Sequence, residues 1–339
     1  MKMKFPLPVD FFQCPPLAQE EIDQFKAQGR HSVKQLVQTA VLRGGPISWV
    51  LLSDETELKI YKAHDKLRNL SMYISRSTVV GTLDEVVDVF QTHTTELIKE
   101  AKRRVGKDLL DVATLYDFNP PHETSTINNV AIIYAAQKGP PFVASRDSVL
   151  LECRSPFQGD SGRRGWCRSL ISVEVDGCPP FPGMVRVHQY GSGHHFLEST
   201  RRGYVELSYI SHVDFGAKVP VWIENLANKK RCRNLITIDK CLRENRLRQG
   251  QFLTKVPMLP GSSLDAVRYC FLCTKPFGMF RQQSFCCKCG QVLCLGCNLP
   301  WQLNINGMFV AIRACLKCAQ RPTTNHAMLP PPSQYDISP

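Results

Sequence analysis

Residues 203–250 read GYVELSYISHVDFGAKVPVWIENLANKKRCRNLITIDKCLRENRLRQG, a strand pattern that turns into a long helical one. From Gly203 to Asp214 β-branched and aromatic residues dominate, as on a pleated, packed surface. From Val219 to Gly250 the spacing predicts one helix. Val219, Trp222, Leu226, Leu235, Ile238 and Leu242 form its expected apolar face, and Lys229, Lys230, Arg231 and Arg233 lie on others. A last strand that feeds a long closing helix is what a sheet needs to have one face covered.

Working outward, residues 108–214 read as a series of strands: DLLDVATLYDF, NNVAIIYAAQ, RDSVLLEC, WCRSLISVEV, GMVRVHQY and HHFLEST before the one quoted above. Gly- and Pro-rich segments separate them. Further upstream, residues 17–43 predict a helix with Ile22, Phe25, Val33, Leu36, Val37 and Val41 as its apolar positions, ended by Gly44, Gly45 and Pro46. Three short strands follow (ISWVLLS, ELKIYKAH and LSMYISRSTVVG), then a helix from Thr82, where Glu85 three positions on completes a capping box. A long antiparallel sheet curls, and a terminal helix across its hollow leaves a cavity. The expected class is α+β, a helix-grip arrangement.

The chain has 42 Lys plus Arg against 30 Asp plus Glu, a net charge of +12, and 43% hydrophobic residues. That apolar share excludes a disordered or collagen-like chain. The charge favours an anionic partner without choosing between membrane and nucleic acid. No stretch reaches the ~20 apolar residues that a spanning helix needs. Nucleic acid is disfavoured, because the basic run KKRCR (229–233) has no interleaved aromatics.

Nine of the 15 cysteines fall between Cys270 and Cys318, spaced C-x2-C-x12-C-x2-C-x4-C-x2-C-x17-C-x2-C, with Cys287 as a bystander. Each CxxC sets two thiolates on one turn, and two such pairs close a four-thiolate zinc site with Zn–S of about 2.3 Å. Four pairs therefore predict two structural Zn²⁺, saturated and not catalytic. So short a segment depends on metal for its folding. With two Zn²⁺ on eight thiolates the net charge of the chain drops to about +8. The N-terminus, broken by Pro6, Pro8 and Asp10, makes a poor signal peptide. A reducing, cytoplasmic setting is expected, either free or peripheral on endosomal or other internal membranes.

Three segments carry a resemblance: RDSVLL (Arg146–Leu151), SLISVEVDGCPPFPGMVRV (Ser169–Val187) and YISHVDFGAKVPVWIENL (Tyr209–Leu226). Together they resemble the START lipid-binding domain. The resemblance implies a lipid ligand held between sheet and C-terminal helix, and in some members carried between membranes. Arg146 is a candidate polar group of that cavity, or else a surface ion-pair partner of Asp147 or another acid. The cysteine spacing resembles a FYVE finger, which implies a cross-brace. Cys270, Cys273, Cys294 and Cys297 would then bind one zinc, and Cys286, Cys289, Cys315 and Cys318 the other. The phosphoinositide motif R-(R/K)-H-H-C-R-x-C-G aligns with Gln282, Gln283, Ser284, Phe285, Cys286, Cys287, Lys288, Cys289 and Gly290, so both histidines and the paired arginines are gone. The W-x-x-D element is missing, and Arg313-Ala314-Cys315 keeps part of R-V-C. Phe277, Met279 and Phe280, with Arg281, Lys288 and Arg313, are the candidate lipid or membrane contacts; a protein partner is the alternative. A START domain joined to such a module is similar to proteins of oomycetes.

The expected organisation is an N-terminal segment (1–16), a START-like domain (17–249), a linker (250–265), a FYVE-like finger (266–321) and a disordered tail (322–339). The expected function is non-enzymatic lipid binding or transfer. One alternative is an interaction adaptor with a vestigial cavity. The other is a helix-grip enzyme using His194, His195 or His212 with Asp214 or Cys178, which is disfavoured because no nucleophile–base spacing is evident.

Overall fold

The computed structural model describes residues 4–8, 10–90, 109–119, 129–139, 143–159, 162–216, 219–253, 267–305 and 308–320. The chain divides into two compact units, Met1–Leu242 and Arg243–Pro339. The expected helix beyond Phe90, most of the linker and the expected tail lie outside the described residues.

The first unit opens with α1 (Gln19–Thr39), followed by β1 (Val50–Asp54), β2 (Lys59–Asp65), β3 (Leu70–Val80) and α2 (Leu83–Asp88). The capping box forms: Thr82 Oγ1 accepts from the Glu85 amide at 3.2 Å, and Glu85 Oε2 accepts from the Thr82 amide at 3.0 Å. Next come β4 (Leu109–Asp117), β5 (Asn129–Gln137), β6 (Ser145–Gln158), β7 (Arg164–Ser172), β8 (Met184–Arg186), β9 (His188–Glu198) and β10 (Tyr204–Asp214). The sheet order is β1-β2-β3-β10-β9-β7-β6-β5-β4, with β8 alongside β6. Every pairing on this path is antiparallel, and β8 is parallel to β6.

The predicted closing helix forms as two, α3 (Val221–Cys232) and α4 (Asn234–Arg248). Arg233 lies between them at ψ −4°, and the Ile236 amide reaches back only three residues, to the Arg233 carbonyl at 3.1 Å. This local 3₁₀ tightening breaks the α-helical register. The boundary between the two units falls inside α4.

Period-two alternation sorts the strands onto two faces. On one face Ile60, Tyr73, Trp166, Phe196, Val205, Leu207 and Tyr209 pack with Leu235, Ile238 and Leu242 of α4. On the other, Ile74, Ile132, Tyr134, Val149, Leu151 and Ile210 pack with Val33 and Leu36 of α1 and with Ala40, its C-cap. Two glycines let α1 approach. A Cβ on Gly193 would stand 2.1 Å from the Arg168 carbonyl oxygen and 2.7 Å from Leu36 Cδ2, and one on Gly29 would stand 3.2 Å from Cys153 Cβ. The N-terminal segment joins this second core: the Phe12 ring lies tilted 4.8 Å from that of Tyr134, and the Leu7 amide donates to Asp111 Oδ2 at 2.7 Å.

The second unit contains β11 (Gln283–Phe285), β12 (Val292–Cys294), β13 (Asn298–Ile305), β14 (Met308–Cys315) and α5 (Leu316–Gln320), paired as two short hairpins. Its core gathers Leu247, Leu293, Trp301, Leu303 and Ala314 around buried cysteines.

Candidate functional site

The face of the sheet beneath α3 and α4 carries charge. Register sets Arg154 opposite Arg168, Arg168 opposite His194, and His194 opposite Tyr209, so alternation also turns Glu152 to this side. Glu152 is only 4% exposed. Its carboxylate takes Arg154 Nη2 at 2.7 Å and forms a second ion pair with Arg168 Nε. Burial alone would raise this carboxyl, but Arg154 and Arg168 together outweigh it and hold the pKa at about 2. Arg154 Nη1 also donates to the Phe90 carbonyl at 3.0 Å, and Arg168 lies over the Phe90 ring.

His194 sits beside this group, with its ring 4.9 Å from that of Tyr209 and 4.8 Å from that of Phe90. Burial first, and then the positive charges of Arg168 and Arg231, hold its pKa far below the usual imidazole value, so it is neutral. Asn234 Nδ2 donates to His194 Nε2 at 3.1 Å, which leaves the proton on Nδ1, an atom without a partner.

Helix α3 is turned the opposite way from the expectation. The residues it presents to the sheet are polar: Asn225 accepts from Tyr73 and from Lys62, and Asn228 Oδ1 accepts from Ser211 Oγ at 2.8 Å. Arg231 Nη2 donates to Gln189 Oε1 at 3.4 Å, and Ser75 Oγ donates to the Cys232 carbonyl at 3.0 Å. Val221, Trp222 and Leu226 face outward at 67%, 68% and 61% exposure. Trp222 and Leu226 were expected inside because the helical period locates an apolar stripe but not the side that wants it. Tyr73, Ser75 and Ser211 make this part of the sheet polar, so it takes the polar stripe.

In the second unit eight cysteine sulfurs form two groups. Cys270, Cys273, Cys294 and Cys297 make one, Cys286, Cys289, Cys315 and Cys318 the other, each with all its sulfurs within 4.8 Å of one another. Pairs one and three share a site, as do pairs two and four, so the sites interleave along the chain. The contacts Cys273–Cys294, Cys286–Cys318 and Cys289–Cys315 measure 3.8, 3.9 and 3.9 Å. Tetrahedral ligands at about 2.3 Å from a metal stand about 3.8 Å apart. A disulfide would need about 2.05 Å. Backbone amides turn toward the sulfurs, with the Cys294 amide 3.4 Å from Cys270 Sγ and the Cys315 amide 3.3 Å from Cys286 Sγ. The spacing fits thiolates around a metal ion.

The START domain family matches residues 47–248. The chain belongs to the START family. Human StAR-related lipid transfer protein 5 superimposes with a TM-score of 0.51 at 16% identity, covering 67% of this chain and 99% of that one. Human STARD10 gives 0.46 at 16% identity, over 70% and 85% of the two chains. A STAR-related lipid transfer protein from Xanthomonas axonopodis gives 0.40 at 22%, over 59% and 99%. No curated protein sequence matches.

Within this START domain Arg146 lies at the far end of β6 from Glu152, opposite Gln137, and donates to the neighbouring Ala144 carbonyl. Its neighbour Asp147 pairs with Arg186 on the other face, at 2.9 and 3.1 Å. The charged group that the fold does bury, Glu152 with Arg154 and Arg168, was not singled out from the sequence. Its signal was present in LLECR (150–154), where two charges at period two interrupt an apolar strand.

In the second unit Met279 and Phe280 stand at a turn tip, 89% and 100% exposed, while Phe277 turns into the unit's core. The tip borders an open groove of about 460 Å³ shared with Lys275, Arg281, Gln282 and Leu295. Lys288 is engaged inside the module: Nζ donates to the Gln249 carbonyl at 2.5 Å and to those of Gly250 and Gln251 at 3.4 Å, and lies 3.9 Å above the Phe252 ring. Arg313 Nη1 donates to the Asn298 carbonyl at 3.0 Å, and Arg281 Nη1 to that of Pro276 at 3.3 Å.

Proposed function

We propose that this START domain holds one lipid between its sheet and helices α3 and α4 without catalysing a reaction, and that the cysteine module is a double-zinc, FYVE-like docking element. The observation that carries the lipid reading is the lining of the helix-covered face, where charged and amide groups stand among Trp166, Phe196, Leu207 and Tyr209. An apolar wall with a few fixed polar groups is the chemistry that orients an amphiphile. That the solved relatives are named lipid transfer proteins supports it. Against catalysis, His194 is held by Asn234 and His212 faces Asp65 at 3.1 Å, so neither is paired with a nucleophile among the described residues.

Four thiolates at tetrahedral spacing favour zinc and leave no open position for chemistry. Met279 and Phe280, flanked by Lys275 and Arg281, suit insertion at an anionic interface. Recognition of a phosphoinositide headgroup by the aligned motif is not part of this reading. Gln283 Nε2 is already used by the Val267 carbonyl at 2.8 Å, and Ser284 Oγ by that of Leu293 at 3.0 Å. The fifteen free thiols, eight of them grouped as ligands, suit a reducing cytoplasmic compartment, with peripheral attachment to internal membranes.

Native mass spectrometry of the full chain tests the reading. The expected masses include one lipid and two zinc ions. A lipid-free protein that takes none from vesicles would favour an interaction adaptor instead. In vesicle sedimentation, Met279→Glu with Phe280→Glu should abolish binding while the zinc content stays at two. Unchanged sedimentation would mean that this tip is not the docking element.

A further inference from the structure

The charges on the helix-covered face do not balance. Among the described residues, Arg154, Arg168 and Arg231 face one ion-paired carboxylate, that of Glu152. Arg231, on α3, has among the described residues only the neutral amide of Gln189 as a side-chain partner, yet it is close enough to His194 to act on its charge. Asp88 on α2 does not offset them: burial, and then the charges of Asp84 and Glu85, raise its carboxyl, and no arginine is among the groups that act on it. Lys62, further along the face, lies near Glu224. Among the described residues two positive charges are thus left over around a histidine that is itself neutral.

The hydrogen-bond inventory leans the same way. Among the described residues the buried atoms without a partner on this face are Arg154 Nε, His194 Nδ1, Asn228 Nδ2 and Arg231 Nε. All four are donors. A buried donor without an acceptor is costly, and an unpaired buried charge more so. A sterol hydroxyl would answer one donor and no charge. A zwitterionic headgroup would carry its own cation among the arginines. An anionic headgroup supplies acceptor oxygens and the missing negative charge together.

We propose that the ligand of this domain is an acidic lipid, whose phosphate or carboxylate headgroup sits between β7, β9 and α3 against Arg168, Arg231 and His194. This rests on the lipid-binding reading and adds the ligand class to it.

The test uses the full chain incubated with one vesicle population. It holds equal parts of phosphatidic acid, phosphatidylserine, phosphatidylcholine and cholesterol, with a trace of oleate. Because every lipid shares the same vesicle, surface attraction cannot sort them, and only the interior selects. The protein is re-isolated and its lipid identified by mass spectrometry. The expected extract is enriched about tenfold in the anionic lipids over phosphatidylcholine and cholesterol. Arg231→Gln should remove most of that preference, and Arg231→Lys, which keeps the charge, should retain it; thermal melts of both variants check that they are folded. Inorganic phosphate at millimolar concentration should not displace the lipid, and displacement would make the ligand a free anion. Lipid bound without an acidic preference would overturn this proposal alone. No lipid of any class would overturn the lipid-binding reading with it.

Discussion

Replacing Glu152 by Gln removes the one negative charge between two arginines and keeps the side chain's shape. The cost follows from the carboxyl's own titration. Its pKa is pulled from the ordinary 4.5 to about 2 in the folded chain. That displacement corresponds to roughly 3 kcal/mol of interaction favouring the ionised form. Glu152 is buried, so solvent does not screen this away. The figure agrees with the ~3–5 kcal/mol lost when one member of a buried ion pair is deleted. For a unit of this size that is a fall of about 6–12 °C in melting temperature. Because the folded pKa lies below the unfolded one, the stabilisation is complete above about pH 4.5 and is lost as pH falls toward about 2. Urea unfolding of wild type and Glu152→Gln, followed by far-UV circular dichroism in matched buffers from neutral to acid, reads the difference directly. The gap should be about 3 kcal/mol at neutral pH and should close through that acid window. A neutral-pH gap under ~1 kcal/mol, or one that does not narrow in acid, would show that the carboxylate is not held by Arg154 and Arg168 as described.

Other perturbations have outcomes of their own. A strong chelator should unfold the second unit and leave the sheet of the first intact; Cys286→Ser should cost metal while Cys287→Ser retains two ions by elemental analysis, since only Cys286 belongs to a sulfur group. Lys288→Met should speed amide exchange at residues 249–252, with a stability loss of about 1 kcal/mol, because three carbonyls lose their donor. Gly193→Ala should destabilise the first unit by more than ~3 kcal/mol, seen as a lowered melting point, because the new methyl falls 2.1 Å from the Arg168 carbonyl oxygen.

Much of the fold was legible in local pattern. The strands from Leu70 to Ser172, α1 and the Thr82 capping box are properties of a few consecutive residues, and spacing reports them, whereas the expected runs GMVRVHQY and HHFLEST form a short β8 and one continuous β9. The four CxxC pairs were legible too, because each turn positions both thiolates without help from the rest of the chain; which pairs share a group was implied only by the resemblance to a FYVE finger. What stayed hidden depends on neighbours far away in sequence. Arg154 and Arg168 meet across β6 and β7 only through their register, and nothing local in either strand names its opposite. The orientation of α3 was missed for a related reason. Its polar and apolar stripes were both visible, but which one turns inward depends on Tyr73, Ser75 and Ser211, more than 130 residues apart at their extremes. Arg146 was the more conspicuous arginine in sequence, beside Asp147, yet strand alternation sends the two to opposite faces.

The outward turn of α3 also equips the molecule with a reporter. Of its four tryptophans, Trp166 and Trp301 are buried and Trp49 is half-buried, which leaves Trp222 as the one in open water. Its emission answers to whatever comes to rest on that helix. A blue shift with vesicles would place bilayer over α3, and quenching by brominated acyl chains would give the depth. The same residue read in lipid-free and lipid-loaded protein would show whether filling the interior moves the helix, with no label attached to the chain.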